Sequence, residues 1–287
     1  MLRIGIVGLS EGNGHPYSWS AIFNGFDKTK DCPFEVIPEY LGKQIFPKDF
    51  LSDLGKVTHI YTQDRKISEK VAEFALIDNI VDRPEEMINN IDVVLLARDD
   101  AENHYEMAKV FIENGIPIFI DKPLAYNIKE AEKIYSINEN SLIYTCSSIR
   151  FAKEFSETII EGINFVNATI MKSWEKYGIH IIEPVVSMFP NRGNLLSVEK
   201  IDSSIGVKIR VVKWRNLQAV FTTTGEIQSQ LQIDIMNVNS VKTLLFKDTF
   251  YAFRESLRNF IKVTENKKAN IDKSETLEII EIIEKGI

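Results

Sequence analysis

Short runs of apolar residues, each followed by a helical pattern, fill the first half of this chain and constrain its fold more than any other feature. Helical stretches such as 67–74 and 102–113 lie between these runs. Strands that are apolar throughout and alternate with helices are typical of a parallel sheet covered by helices. Five runs are predicted to be buried strands: Ile4–Val7, Val57–Tyr61, Val93–Ala97, Ile116–Ile120 and Leu142–Cys146.

The second half of the chain instead alternates apolar and polar residues with a period of two. Val207, Ile209 and Val211 are separated by Lys208 and Arg210, and the run from Leu231 to Ile235 repeats the pattern. Such strands have one buried and one exposed face, as in antiparallel sheets. We predict an α/β domain with a parallel sheet over 1–122, followed by an α+β domain over 123–287 with an open, mainly antiparallel sheet. The first domain has an insertion at about 27–56, and its last strand lies at about 142–147.

Composition excludes several classes of protein. The net charge of −7 disfavours nonspecific binding to nucleic acid or to an anionic membrane. No apolar run approaches the length of about 18 residues that a membrane span requires. The two cysteines, Cys32 and Cys146, lack CxxC spacing, and with no signal-peptide pattern at the start we expect a protein of the reducing cytoplasm.

A glycine-rich turn follows the first predicted strand directly. Glycines there permit a tight turn and let backbone amides approach a pyrophosphate, whose charge suits a helix N-terminus. Pro16 fits the first turn of the following helix. The loop departs from GxGxxG because Ser10 takes the second position, and turns of this kind also occur without a nucleotide. The candidate cofactor-binding residues are Gly8, Ser10, Gly12, Asn13, Gly14 and His15.

A carboxylate that binds the adenosine ribose is expected at the end of the second strand. Asp64, after the run 57–61, is the favoured candidate. Its rival is Glu39, which follows the run Phe34–Ile37, but Pro38 is a poor continuation of a central strand. Either carboxylate is otherwise a solvated loop residue. Asp64 favours NAD over NADP because it would repel a 2′-phosphate, although Arg65 can offset this.

Two further motifs resemble the Gfo/Idh/MocA family of oxidoreductases (glucose–fructose oxidoreductase, inositol dehydrogenase and MocA). One is Asp121-Lys122-Pro123, where the family has Glu-Lys-Pro, and the other is the stretch from Tyr177 to Glu183, which contains His180. Matches at 84–88, 104–108 and Arg150-Phe151 support the resemblance, which covers nearly the whole chain and is stronger in the first half. It implies a Rossmann half, an α+β half, and NAD(P)-dependent oxidation or reduction of a sugar, cyclitol or related small molecule.

The resemblance assigns roles residue by residue. Lys122 lies beside the nicotinamide and the substrate hydroxyl, where it lowers the free energy of a developing alkoxide and relays a proton. The bond to Pro123 is often cis in the family. Ala97, Arg98 and Asp99 occupy the turn that contacts the cofactor. The bland alternative for Lys122 is a surface lysine in a turn.

His180 is the acid/base candidate, but the family's Asp four residues earlier is Lys176 here. A lysine cannot accept the imidazole N–H as an Asp does, and a nearby cation favours the neutral ring. Lys176 therefore either tunes His180 or binds an anionic group of the substrate, such as a carboxylate or phosphate. His180 with Glu183 is too small a set for a metal, and no metal site is expected.

Three aromatic residues are candidates for a substrate wall. Tyr17 and Trp19 lie where the first helix begins, and Trp174 lies just before the helix of His180. Aromatic rings stack on the apolar faces of sugars, yet each of the three is equally explained as a core residue.

We expect an NAD-dependent oxidoreductase whose proton-handling residues are Lys122 and His180. The alternative is a catalytically silent NAD-binding sensor or assembly protein of the same fold, which the altered position 176 and the irregular glycine loop favour. A pure interaction protein would make two separate site motifs coincidental. A homodimer or homotetramer is expected, because Val212, Val220 and Thr222 are predicted to lie on the outward face of the second sheet.

Overall fold

A computed structural model of the protein describes residues 1–155, 162–267 and 270–287. The chain forms two compact units. The first contains Met1–Leu124, Glu132–Thr145 and Phe253–Ile271, and the second contains Ala125–Ala131, Cys146–Ala252 and Asp272–Ile287. The chain therefore returns to the first unit twice, at Glu132–Thr145 and at Phe253–Ile271.

The first unit is built on a six-stranded sheet in the order β3-β2-β1-β4-β5-β6. Every neighbouring pair in it is parallel. The five predicted strands are present, and the sixth, β3, has only two residues. The strands are β1 (Leu2–Val7), β2 (Gly55–Tyr61), β3 (Asn79–Ile80), β4 (Val93–Leu96), β5 (Ile118–Ile120) and β6 (Ile143–Thr145). In this topology the order reverses between β1 and β4, and ligands bind at the carboxyl ends of the strands there.

Five helices connect these strands: α1 (His15–Asn24), α2 (Val36–Gly42), α3 (Arg65–Ala75), α4 (His104–Glu113) and α5 (Ile128–Tyr135). The predicted helices at 67–74 and 102–113 correspond to α3 and α4. The run Phe34–Ile37, weighed in the sequence as a strand, instead leads into α2. Pro38 lies in the first turn of α2, where its missing N–H is not needed.

The second unit has a mixed six-stranded sheet in the order β12-β11-β7-β10-β9-β8. Only the pair β7–β10 is parallel, and the other pairs are antiparallel. Its strands are β7 (Phe165–Ile170), β8 (Leu195–Asp202), β9 (Lys208–Trp214), β10 (Gln218–Thr223), β11 (Gln232–Met236) and β12 (Val241–Leu245). The other α-helices among the described residues are α6 (Trp174–Tyr177), α7 (Ile179–Met188), α8 (Thr249–Asn266) and α9 (Lys273–Gly286).

The predicted inward face of β9 is wrong. Val212 lies in the core with no exposed surface, whereas Ile209 and Val211 are half-buried on the opposite face. The cause is Arg210, which is fully buried because its guanidinium donates to the carbonyl of Gly286 and forms an ion pair with Asp202. On β10 the alternation puts Val220 and Thr222 on the face opposite the core.

The aromatic residues of α8 explain why 253–271 belong to the first unit. Phe253 contacts Trp19 edge-on at a centroid distance of 6.4 Å, and Phe260 packs on Phe119 at 5.6 Å and on Tyr144 at 5.6 Å. Within the three described ranges, no helix is both long enough and apolar enough to cross a bilayer.

Candidate functional site

The glycine loop joins β1 to α1, and its glycines are needed for space and backbone conformation. A Cβ on Gly8 would lie 2.4 Å from the Cγ of Pro16, so only glycine lets the strand approach the helix this closely. A Cβ on Gly14 would lie 2.6 Å from Ile37 Cδ1, and Gly12 has a φ of +77°. The predicted loop is therefore confirmed as a tight strand-to-helix turn.

Leu9, the second residue of the loop, is held by two side chains that the sequence did not single out for this role. The side-chain amide of Gln63 accepts from the Leu9 N–H at 2.9 Å and donates to the Leu9 carbonyl at 2.7 Å. Arg98 donates to the same carbonyl at 3.2 Å. The segments that follow β2 and β4 thus fix the conformation of the loop.

The loop offers groups that fit the diphosphate of a dinucleotide. Among the described residues, the backbone amides of Ser10, Glu11 and Gly12 have no acceptor, and they precede the N-terminus of α1. The Ser10 hydroxyl is already used, since it donates to Asp99 at 2.7 Å. The loop therefore presents backbone donors rather than the Ser10 side chain.

The expected ribose carboxylate, Asp64, is exposed and serves as the N-cap of α3, where it accepts from the Lys66 N–H at 2.9 Å through one oxygen. Arg65 is engaged elsewhere, because its guanidinium pairs with Asp82 and, at 3.5 Å, with Glu69. The rival Glu39 lies on α2 and pairs with Lys43 on the surface, so it follows no strand of the sheet.

The turn after β4 carries Ala97, Arg98 and Asp99. Ala97 is fully buried, and Arg98 forms a two-pronged ion pair with Asp100 whose Nε–Oδ1 distance is 2.8 Å. His104, the first residue of α4, has no exposed surface. Its ring nitrogens contact the carbonyl oxygens of Arg98 at 2.8 Å and Leu124 at 3.0 Å. His104 thus ties the turn after β4 to the turn after β5.

Asp121 and Lys122 directly follow β5, and both are buried. The Asp121 carboxylate accepts from Asn13 Nδ2 at 2.9 Å and from its neighbour's backbone N–H at 2.8 Å, and it lies 2.6 Å from His15 Nδ1. Burial alone would raise the pKa of Asp121, but electrostatic attraction from His15 and Lys122 and the hydrogen bonds of His15 and Asn13 hold it well below its usual range. The Lys122 ammonium lies 3.8 Å from Asp99.

The bond between Lys122 and Pro123 is cis, as the resemblance implied. Pro123 is buried with its neighbours at the carboxyl end of β5. The loop residues Asn13 and His15 thus contact the motif residue Asp121, which lies more than a hundred residues away in sequence.

His180, in the second unit, lies in the first turn of α7. Its Nδ1 is 2.7 Å from the Ser147 hydroxyl, and the Tyr177 ring packs edge-on at 5.5 Å. The Ser147 backbone N–H donates to Glu183 at 2.6 Å. Ser147, which sequence analysis missed, thus contacts both His180 and Glu183.

Glu183 is a fully buried carboxyl on the same helix. Burial raises its pKa to about 7, although Arg150 and the Ser147 N–H both favour the ionised form. Arg150 lies 3.4 Å from Glu183 and 2.5 Å from Glu275. Lys176 lies on α6, which is separated from α7, the helix of His180, only by Gly178, whose φ of −53° and ψ of −36° are also helical.

The three aromatic substrate candidates are packed as core residues. Trp174 has no exposed surface, and its indole N–H donates to the Ile283 carbonyl at 3.1 Å. Trp19 is 1% exposed and stacks on Phe119 at 4.9 Å. Tyr17 is equally buried, and burial raises its pKa to about 12. The packing reading, which the sequence left open, accounts for all three, and we do not retain them as a substrate wall.

The strand order, the glycine loop and the polar residues after β4 and β5 define a Rossmann protein of the dinucleotide-binding class. Residues 2–144 match the family model described as "Oxidoreductase family, NAD-binding Rossmann fold". Through this half the chain belongs to the Gfo/Idh/MocA family. No curated protein matches the sequence.

Solved structures resemble the chain over nearly its whole length. The myo-inositol 2-dehydrogenase of Lactobacillus plantarum is 12% identical, with a TM-score of 0.72 over 98% of this chain and 95% of that one. GenD2 from gentamicin A biosynthesis, solved with NAD, is 10% identical, with a TM-score of 0.75 over 100% and 93%. A levoglucosan dehydrogenase, solved with NADH and levoglucosan, is 14% identical, with a TM-score of 0.69 over 99% and 96%. At these identities the likeness establishes the fold.

Proposed function

We propose that the protein is an NAD-dependent oxidoreductase that transfers a hydride to or from a hydroxyl or carbonyl group of a sugar, cyclitol or related small molecule. The observation that carries the proposal is the buried Lys122 ammonium beside Asp99, at the carboxyl end of a parallel sheet whose glycine loop keeps free backbone donors. Two of the similar structures are a myo-inositol 2-dehydrogenase and a levoglucosan dehydrogenase, and they support a polyhydroxylated substrate.

The residues present fit NAD. The amides of Ser10, Glu11 and Gly12 and the N-terminus of α1 would hold the diphosphate, and the second oxygen of Asp64 would accept from the ribose 2′-hydroxyl. Arg65 is paired with Asp82, so the 2′-phosphate of NADP has no free arginine at this position. NAD held by these residues would supply the hydride acceptor or donor.

Lys122 stabilises the negative charge that develops on the substrate oxygen. The Lys122 side chain is 6% exposed, and the attraction between its charge and an anionic oxygen is stronger in such a buried place than in water. His180 is the acid/base candidate of the second unit, where its Nδ1 lies 2.7 Å from the Ser147 hydroxyl, which orients the ring. Lys176 binds an anionic group of the substrate, for which a flexible point charge is suited.

Calorimetry with NADH, followed by a screen of sugars, nucleotide sugars and cyclitols for NADH production, tests the proposal. Lys122→Ala should lower turnover by about 10²- to 10⁴-fold while the NADH dissociation constant changes little. NADH binding without turnover on any compound would favour the NAD-binding sensor instead. Absence of NADH binding would refute both.

A further inference from the structure

His15 and Asp121 form a carboxylate–imidazole pair inside the first unit. The two side chains approach to 2.6 Å, and their exposed fractions are 18% for His15 and 1% for Asp121. The imidazole ring stacks on Trp19 at a centroid distance of 4.8 Å with an angle of 13° between the planes. Phe253 packs on it edge-on at 5.0 Å. The ring is therefore held both by a hydrogen bond and by two aromatic contacts.

This geometry selects one tautomer of the neutral ring. The Asp121 carboxylate is an acceptor, because it is ionised and already receives the N–H groups of Asn13 and Lys122. Nδ1 of His15 must then carry its proton toward Asp121, and Nε2 keeps its lone pair. Within residues 1–155, 162–267 and 270–287, Nε2 has no protein partner. A histidine oriented in this way by a buried carboxylate has the arrangement that general bases use.

The pair lies where a Rossmann fold binds its ligands. His15 is the first residue of α1, and Asp121 directly follows β5, so both are at the carboxyl ends of the strands. The residue after Asp121 is Lys122, whose ammonium is paired with Asp99. A lysine ammonium stabilises an anionic oxygen as a donor, and the proton itself passes to an imidazole, for which the chain offers His180 in the second unit and His15 in the first.

We propose that His15, oriented by Asp121, exchanges the proton of the substrate hydroxyl, a role that rests on the proposed function. In the oxidation, the O–H bond of the substrate breaks and its proton passes to Nε2 of His15. The carbon-bound hydrogen leaves with its electron pair to the nicotinamide ring, and the C–O bond becomes C=O. The imidazolium then releases its proton to water, and the reduction runs in the opposite direction.

The tautomer is tested without cofactor or substrate. The chain has four histidines, so ¹⁵N–¹H correlation spectra resolve each ring, and His15→Gln assigns the His15 signals. At a pH where the ring is neutral, we expect a protonated Nδ1 and a bare Nε2 on His15. Asp121→Asn should reduce this asymmetry, because an amide can donate as well as accept. A protonated Nε2 in the wild type overturns the inference, whether or not the Asn variant folds.

The proton-exchange role is tested by kinetics on the substrate that the screen identifies. His15→Gln should lower kcat by about 10²- to 10⁴-fold, remove one limb of the pH–rate profile, and leave NADH affinity within about twofold. His59→Gln, in the middle of β2, is the matched control and should leave all three unchanged.

Two results would overturn this role. Weaker NADH binding with an unchanged kcat would make His15 a contact of the diphosphate, and an unaltered enzyme would make it a packing residue. A wild type that binds no NADH or turns over no substrate refutes the proposed function and His15's role with it, whereas the spectra still judge the pair itself.

Discussion

The buried carboxyl of Glu183 makes the stability of the protein depend on pH in a way that one substitution should remove. Glu183 is 2% exposed on α7. Glu183→Gln keeps the side-chain volume and an oxygen that accepts from the Ser147 N–H, but it has no titrating proton. Arg150 retains Glu275 as its partner at 2.5 Å, so the substitution leaves no unpaired buried charge.

The sign and size of the effect follow from the raised pKa. Burial raises the pKa of Glu183 from 4.5 to about 7, so between these pH values the folded protein keeps a proton that the unfolded chain releases. The free energy of unfolding must then fall as pH rises through this window, by about 1.4 kcal/mol for each pH unit. The wild type should lose about 3 kcal/mol across the window, a loss that the Gln variant escapes.

Urea unfolding followed by tryptophan fluorescence, at several pH values between about 5 and 8, measures this difference. We expect the free energy of unfolding of Glu183→Gln, relative to wild type, to rise steadily and then level off above about pH 7. Glu199→Gln is the control. Glu199 is exposed on β8 and pairs with Lys213 of β9, and its Gln variant should follow the wild-type curve. Parallel curves for wild type and Glu183→Gln would refute the reasoning.

Four further predictions concern packing, cofactor, substrate and assembly. Trp174→Ala should lower the free energy of unfolding by about 3–5 kcal/mol in the same urea assay, because it opens a cavity in the second core. Calorimetry should show tighter binding of NADH than of NADPH, and Arg65→Ala should leave this preference unchanged. Tighter binding of NADPH would contradict the assignment of NAD as cofactor. Lys176→Ala should raise KM for an anionic substrate, and unchanged KM and pH limits would make it a helix-surface residue. Light scattering should show a homo-oligomer formed through the sheet face that carries Val220, and a species of only 32.9 kDa would contradict this.

The sequence was sufficient for the architecture because strands buried on both sides leave an unambiguous apolar pattern. β4 is buried at all four positions, and the apolar run Val93–Ala97 predicts it directly. The face of β9 was not predictable by the same means. Arg210 is buried because two acceptors receive its hydrogen bonds. One is the carbonyl of Gly286, 76 residues away, and the other is the carboxylate of Asp202 on the neighbouring strand β8. A pattern of hydrophobicity contains no record of such partners.

The site shows the same division between local and distant information. The glycine loop and the Asp121-Lys122 pair were found because their residues are contiguous and their roles are local. Gln63 and Ser147 were missed because their partners, Leu9 and His180, lie 54 and 33 residues away. Trp174 was ambiguous since a buried tryptophan and one that lines a sugar site have the same sequence signal, and only the fold separates them.

This chain departs from the family pattern at two positions, 176 and 121, and each departure concerns an acidic residue beside a histidine. The resemblance gives an Asp beside His180, but Lys176 occupies that position, and a serine hydroxyl contacts the ring instead. It also gives a Glu before the lysine, but this chain has Asp121, whose shorter side chain accepts from its neighbour's backbone N–H through Oδ1. The other oxygen, Oδ2, is then left for Asn13 and His15. We therefore expect the carboxylate–histidine pair of the first unit, His15 with Asp121, to depend on the length of this acidic side chain. Asp121→Glu tests whether the side-chain length matters or only the negative charge. We expect the variant to keep the buried negative charge but to disturb the His15 tautomer. Unchanged His15 spectra would show that the shorter side chain is not what orients the ring.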